Sequence, residues 1–213
     1  MDIKYFLQKA FQKVFCKPIV RSSKISKKAA VWNNSLIINS EINDYSYVSD
    51  HTSIYYTKIG KFCSISSYCA IGGASHPIDF VSTSPVFLEG RNAMNTHFAK
   101  LPYKPYKKTQ IGNDVWIGTH CCIKSGISIG DGSVVGMGSV VIKDIGSYEI
   151  WAGNPARFIR KRFKNEDIVE LQKYQWWNMN DEEINMVAYN MNNINLFLKN
   201  SRIESRKKNN GKI

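Results

Sequence analysis

The chain has 213 residues, of which 43% are hydrophobic, enough for one domain with a real core and too apolar for a disordered polyelectrolyte. Its formal net charge of +12 is unevenly placed: eight basic residues against one acid in 1–28, nine against nine in 29–156, and twelve against seven in 157–213. A nucleic-acid-binding body spreads Lys and Arg over the contacting face, so a neutral centre with basic ends excludes a nucleic-acid partner.

In chain order, residues 1–24 read as an N-terminal amphipathic helical segment, with Ile3, Phe6, Leu7, Ala10, Phe11, Val14 and Phe15 at helical spacing. Lys4, Lys9 and Lys13 interrupt it, and no window approaches the roughly 18 to 20 apolar residues of a membrane span, so neither a span nor an export signal is expected. The five cysteines are odd in number and form no C-x-x-C pair, which disfavours a disulfide framework or a zinc ribbon and fits a reducing cytoplasm.

From Ile25 an aliphatic residue recurs every six positions: Ile25, Val31, Ile37; Ile42, Val48, Ile54; Ile59, Ile65, Ile71; then Ile111, Ile117, Ile123, Ile129, Val135 and Val141. Two steps, Ile37 to Ile42 and Ile54 to Ile59, shorten to five. Gly often follows the aliphatic, as at Gly60, Gly72, Gly112, Gly118, Gly130 and Gly136, where a corner is expected to need a backbone conformation cheap only for Gly. Four residues after the aliphatic stands a compact one: Ser46, Thr52, Cys63, Cys69, Ser75, Cys121, Ser133 or Ser139. One aliphatic and one small residue pointing inward per side describes a three-sided coil, and about fifteen units predict about five coils. The cysteines at the small position are then core fillers rather than reactive thiols.

The expected divisions are the coil at 25–163, an ejected loop at 76–110, C-terminal helices at 164–200 and a basic tail at 201–213. The helices are predicted near Asn165 to Trp177 and Asp181 to Lys199, the second opening on Asp181, Glu182 and Glu183, and both flanks read as covers for the ends of the stack. The loop carries Pro77, Pro85, Pro102 and Pro105, and opens on Ser75-His76-Pro77. A histidine on the exit from a rigid coil is a candidate general base.

The hexads, the loop beginning Ser75-His76-Pro77, the stretch Ile111 to Gly118 and the ending Gly153-Asn154-Pro155-Ala156-Arg157 together resemble the left-handed β-helix acyltransferases with hexapeptide repeats. Thr83-Ser84-Pro85-Val86-Phe87 most resembles the branch of xenobiotic (chloramphenicol and streptogramin) acetyltransferases, which also includes sugar and polysaccharide O-acetyltransferases. The resemblance implies a left-handed parallel β-helix, a homotrimer with sites between neighbouring prisms, acetyl-CoA as donor and no metal. It implies His76 as catalytic base, Thr119 and Met137 along the pantetheine groove, Ile142 and Lys143 near the adenine, and Arg157 and Arg160 at the nucleotide phosphates. Trp116 either walls that groove or anchors the coil to the next subunit.

For the acceptor the candidates are Asp79, Ser84 and Phe87, with Tyr45 from an upper coil, while Phe80 reads as the loop's own core. The leading expectation is O-acetylation of a sugar or surface-polysaccharide precursor, because the basic ends fit peripheral contact with the inner face of an anionic membrane. The alternatives are an antibiotic hydroxyl or the amine of an amino sugar. Two other classes compete. A zinc hydrolyase resembling the γ-type carbonic anhydrases needs converging imidazoles, whereas the four histidines are 25, 21 and 23 residues apart. A non-catalytic scaffold would have no use for the long loop.

Overall fold

Successive short strands enter three different sheets in strict rotation, as a six-residue period requires when every strand is followed by one corner. The computed structural model describes residues 16–199 together with Lys4. The first face stacks Ile19–Arg21, Leu36–Ile38, Ser53–Tyr55, Ala70–Ile71, Cys122–Ile123 and Val140–Val141. The second holds Lys24–Ile25, Glu41–Ile42, Thr57–Ile59, Thr109–Ile111 and Ser128–Ile129, extended by a bridge from Ile129 to Ile145. The third holds Ala30–Val31, Tyr47–Val48, Ser64–Ile65, Trp116–Ile117, Val134–Val135 and Glu149–Gly153, and ends in an antiparallel return strand, Ala156–Lys161. The fold is an all-β parallel solenoid. It starts at Ile19 rather than Ile25, because Val20 already pairs with Ile37, so the first face is six strands deep.

The predicted aliphatics form the core: Ile37, Val48, Ile54, Ile59, Ile65, Ile71, Ile117, Val135 and Val141 are all fully buried. In register they make three files, one of which runs Ile37, Ile54, Ile71, Ile123, Val141. In the last coil of the third face Trp151 takes the aliphatic's place opposite Val135 and packs against this core.

The glycines after the aliphatic serve a different purpose from the one expected. Of the six, Gly72 alone has positive φ, at 75°. A Cβ on Gly60 would stand 2.4 Å from the Gly112 carbonyl oxygen, and one on Gly118 2.6 Å from the Met137 nitrogen. These glycines let one coil approach the next. Positive φ falls further on, at Tyr45, His51, Phe62, Tyr68, Asp114 and His120, or at Asn39 and Tyr56 in the shortened steps. Such a conformation costs a side-chain-bearing residue ~1 kcal/mol or more. Stacking between coils offsets part of it: Tyr45 lies on Phe62 at 4.9 Å, and His51, Tyr68 and His120 stack at 4.9 and 5.0 Å.

The small inward residues are hydrogen-bonding rungs. Ser46 Oγ donates to the Gly60 carbonyl at 2.7 Å and accepts from Cys63 N at 2.9 Å. Thr52 Oγ1 donates to Ser66 O at 2.9 Å and accepts from Cys69 N at 3.1 Å. The cysteines continue the pattern, with Cys63, Cys69 and Cys121 Sγ donating to Gly112, Gly118 and Gly136 carbonyls at 3.0, 3.2 and 3.1 Å. They stand in for hydroxyls and are not merely apolar filler. Burial pushes the Cys63 thiol up to about 12. Ser75 breaks the pattern: it is half-buried outside the core and bonds Tyr103 Oη and Pro105 O, because the chain has already left the coil.

Helices α1 (Asn165–Tyr174) and α2 (Asp181–Val187) follow, with single turns of 3-10 helix at Trp176–Asn178 and Ala188–Asn190. The second predicted helix stops at Val187 instead of reaching Lys199. Asn193 Oδ1 accepts from Asn195 N and Leu196 N at 3.0 and 3.2 Å, capping a separate helical segment at 194–199. These elements lie along one corner of the solenoid rather than over its end: Trp176 meets Phe62 at 4.8 Å, Arg162 pairs with Asp114 at 2.9 Å, and Lys28 with Asp181 at 2.8 Å. Apart from Lys4, the amphipathic segment's residues 1–15 and the tail 201–213 lie outside the described residues. Among the described residues no helix is long and apolar enough to cross a membrane.

If the buried thiols act as rungs, Cys63→Ser should change stability by less than ~1 kcal/mol, since a hydroxyl keeps the bond to the Gly112 carbonyl. Cys63→Val should cost ~1–3 kcal/mol by leaving the Gly112 carbonyl without its bond. Urea unfolding measures both, and alkylation of the native protein should mark exposed Cys122 before Cys63, Cys69 or Cys121.

Candidate active site

The loop leaves the solenoid at the corner between the first and second faces and occupies residues 72–108, since Thr109–Ile111 is already back in the second face. The exit needs glycine twice over: Gly72 has φ 75°, and a Cβ there would lie 2.1 Å from the Tyr55 carbonyl oxygen. The coil closes across the insertion, with Ile71 pairing Ile123 and Ile59 pairing Ile111. The two ends of the loop are tied together by Ser75 N donating to Pro105 O at 2.7 Å and by a bridge between Ala74 and Tyr106. Tyr106 in turn stacks on Tyr56 of the solenoid at 4.1 Å.

His76 follows directly from this anchored base and is exposed, while Pro77 beside it is buried. Its Nδ1 lies 2.8 Å from the carbonyl oxygen of Thr83. A carbonyl only accepts, so Nδ1 carries the hydrogen in the neutral ring and the Nε2 lone pair is left available. That arrangement can take a proton from an incoming group. Next to Thr83, a cavity of about 330 Å³ is lined by Phe80, Val81, Ser82, Phe87 and Leu101. Phe87, expected to meet the acceptor, and Phe80, expected to be loop core, therefore share one wall. Phe87 also packs on Phe98 at 5.9 Å. Ser84 Oγ accepts from Val86 N and caps the turn Pro85–Phe87, and Asp79 is exposed beside Phe80.

The remaining predicted residues fall on two corners. Ile142 and Lys143, both exposed, follow the first-face strand Val140–Val141, so they share the loop's corner two coils further along. Thr119 and Met137 occupy the corner between the third and first faces, one coil apart, with Gly138 N donating to Thr119 O at 2.8 Å. Thr119 Oγ1 donates to Ser67 O at 2.8 Å, and Met137 is 75% exposed, the most open of the group.

Trp116 stands outward on the third face and is in register with Val134, which pairs with Ile150, which pairs with Arg160. Trp116 and Arg160 are thus three strand spacings apart, roughly 14 Å. Arg157 and Arg160 are exposed on the return strand, where each guanidinium donates only to a neighbouring carbonyl, Ala156 O at 3.0 Å and Lys161 O at 2.9 Å. Neither forms an ion pair among the described residues.

Tyr45 is not brought to this site. It lies on the corner between the second and third faces, where its hydroxyl donates to Asp181 at 2.5 Å and meets Lys28 Nζ at 2.7 Å. Hydrogen bonds donated to Asp181 and Tyr45 hold the Lys28 ammonium protonated well beyond its usual range. The histidines are dispersed too: His51 and His120 flank Tyr68 on a corner, and His97 is held inside the loop by the Leu88 carbonyl. The feature that sequence reasoning missed is the Thr83 carbonyl, which has no side-chain signature. Val81 and Leu101 were also missed, although apolar residues in a long exposed loop are a readable signal.

Residues 108–143 match the family model described as the hexapeptide repeat of succinyl-transferase. A probable macrolide acetyltransferase of Lysinibacillus sphaericus is 42% identical over 130 residues, which is 59% of this chain and 71% of that protein. A chloramphenicol acetyltransferase of Agrobacterium fabrum is 43% identical over 127 residues, 56% of this chain and 58% of that protein. A solved hexapeptide-repeat acetyltransferase of Vibrio cholerae is 21% identical, with a TM-score of 0.48 over 77% of this chain and 84% of that one.

The ring geometry has a direct check. Nitrogen-15 NMR of the labelled protein near neutral pH is expected to show His76 with its neutral ring protonated on Nδ1. An Nε2-protonated ring would contradict the contact with Thr83.

Proposed function

Because the chain belongs to the hexapeptide-repeat acetyltransferases, we propose that it moves the acetyl group of acetyl-CoA onto a hydroxyl of a small, largely apolar acceptor of the chloramphenicol kind. The observation that carries this reading is the His76 ring, tied at Nδ1 to the Thr83 carbonyl with Nε2 left open, in the same loop as the cavity of Phe80, Val81 and Phe87.

The acceptor hydroxyl donates to Nε2, which takes its proton as the oxygen attacks the thioester carbonyl carbon. The resulting tetrahedral oxyanion collapses by breaking the carbon–sulfur bond, and the CoA thiolate recovers the proton from the imidazolium. The Thr83 carbonyl, accepting from Nδ1–H throughout, keeps the ring oriented. Thr119, Met137 and Trp116 give the pantetheine arm a surface, Ile142 and Lys143 flank the adenine, and Arg157 and Arg160 keep N–H groups for the phosphates.

Thr119 and Met137 are one whole face away from His76 in the same chain. A site using both sets therefore takes the loop from one chain and the corner from another, which favours assembly as a trimer of prisms. The apolar acceptor replaces the polysaccharide as the first choice for two reasons. The membrane-facing segment that motivated the sugar lies outside the described residues. A sugar ring in the cavity of Phe80, Val81, Phe87 and Leu101 would meet Ser82 as the one polar side chain of its lining, too few partners for its several hydroxyls.

With acetyl-CoA and chloramphenicol, His76→Ala is expected to lower kcat roughly 10²- to 10⁴-fold while acetyl-CoA binding by calorimetry is kept. Undiminished turnover would remove His76 from the chemistry. Acetylation of a nucleotide sugar in place of chloramphenicol would overturn the acceptor class and leave the base in place. Arg160→Ala should raise the KM for acetyl-CoA roughly tenfold with little change in kcat, an effect that weakens at high salt.

A further inference from the structure

On a different corner from the His76 loop, between the solenoid and the C-terminal helices, lies a cavity of about 420 Å³. Its walls are largely aromatic and aliphatic, with Phe62, Phe163, Trp176, Leu171 and Phe197 prominent. Volume and lining fall within the range of small-molecule sites. Besides Asn192, three polar side chains belong to the wall, and two of them answer each other: Arg162 Nη1 donates to Asp114 Oδ2 at 2.9 Å and to Gly132 O at 2.7 Å. Burial pulls the Asp114 carboxyl above its ordinary value while Arg162 opposes the shift. Paired in this way, the two leave little net charge for a ligand to match.

The third is Tyr148, 1% exposed, whose hydroxyl makes no hydrogen bond of ordinary geometry among the described residues, although the Trp176 side chain approaches it. Its ring is pinned, with the Arg162 guanidinium 5.6 Å from the centroid and Phe163 at 5.9 Å. The ring also fills the space over Gly132, whose Cβ would come within 2.4 Å of it. An unpaired buried hydroxyl is costly.

We propose that this cavity is a binding site for a small, neutral, mainly aromatic ligand bearing one hydroxyl or carbonyl group, which supplies the bond that Tyr148 lacks. The rings of Phe62, Phe163 and Trp176 take the flat apolar body. The ligand's polar group settles against the Tyr148 wall, and its occupancy braces the C-terminal helices against the column of Phe62, Asp114 and Tyr148. The site is separate from acetyl transfer and stands whether or not that reading holds.

The test is a fluorine-19 NMR titration of the full-length protein with 4-fluorobenzyl alcohol and, as its counterpart without a polar group, 4-fluorotoluene. Both are expected to bind, the alcohol about fivefold more tightly, the usual effect of one hydrogen bond. Tyr148→Phe should bring the two affinities together while leaving the melting temperature at or above that of the parent, since its hydroxyl has no hydrogen bond of ordinary geometry to lose. Ala188→Trp, a substitution at an exposed position of the cavity wall, should abolish both. Failure of either probe to titrate, equal affinities in the parent protein, or alcohol binding untouched by Ala188→Trp would each overturn the proposal.

Discussion

Each inward side chain of this solenoid has its counterpart directly above and below at one strand spacing, and every other feature must accommodate that contact. The file Ile37, Ile54, Ile71, Ile123, Val141 admits one branched aliphatic per coil, as closely packed as any protein interior. The same spacing leaves no room for a side chain where backbones meet at Gly60 and Gly118. It also brings the rings of His51, Tyr68 and His120 into stacking range on one corner. The residues held at positive φ, Tyr45 and Tyr68 among them, are thus paired with partners that recover part of the strain. A polar atom inside such a file has neighbours only along the file. That is why Ser46 and Thr52 each bond twice to the following coil, and why Cys63 and Cys69 donate in the same direction.

Stacking also decides where chemistry can be added. An insertion within a strand would unpair both of its neighbours, whereas an insertion at a corner needs only two closely spaced ends. Ile71 pairs with Ile123 as though residues 72–108 were absent. His76 therefore emerges from the most rigid part of the molecule, four residues after the exit at Gly72, and needs only the Thr83 carbonyl to fix its ring.

What could be read from the sequence was whatever the period writes locally. The aliphatic positions from Ile37 to Val141 were legible because burial imposes a residue type at a fixed spacing. The glycines were legible in place but not in purpose, since close approach and positive φ both select Gly and only geometry separates them. Ser75 carried the right residue type at the right interval after the chain had already turned away. The break after Val187 was hidden because Asn190 to Asn193 can sit in a helix or cap a new one, and packing of Phe197 and Leu198 into a cluster with Tyr148, Ile168, Leu171 and Trp177 selects the cap. Tyr45 was misplaced although the period held the answer: three units make one turn, so the corner after Ile42 cannot be the corner after Ile71. The Thr83 carbonyl had no signature, because every residue has one.

The positive charge divides by the same geometry. Lys28 and Arg162, from the two basic blocks, face Asp181 and Asp114 and clamp the C-terminal helices to one corner of the solenoid. Arg157 and Arg160 lie on the return strand with no acid opposite them among the described residues. A guanidinium on a strand edge with its N–H groups turned to solvent gains little from the fold, and surface charge of this kind is worth under ~1 kcal/mol to stability. Two of them held on one strand bring fixed positive charge to the face that carries Trp116. The basic ends of the sequence therefore hold two populations, one that fastens the helices and one that stays turned to solvent.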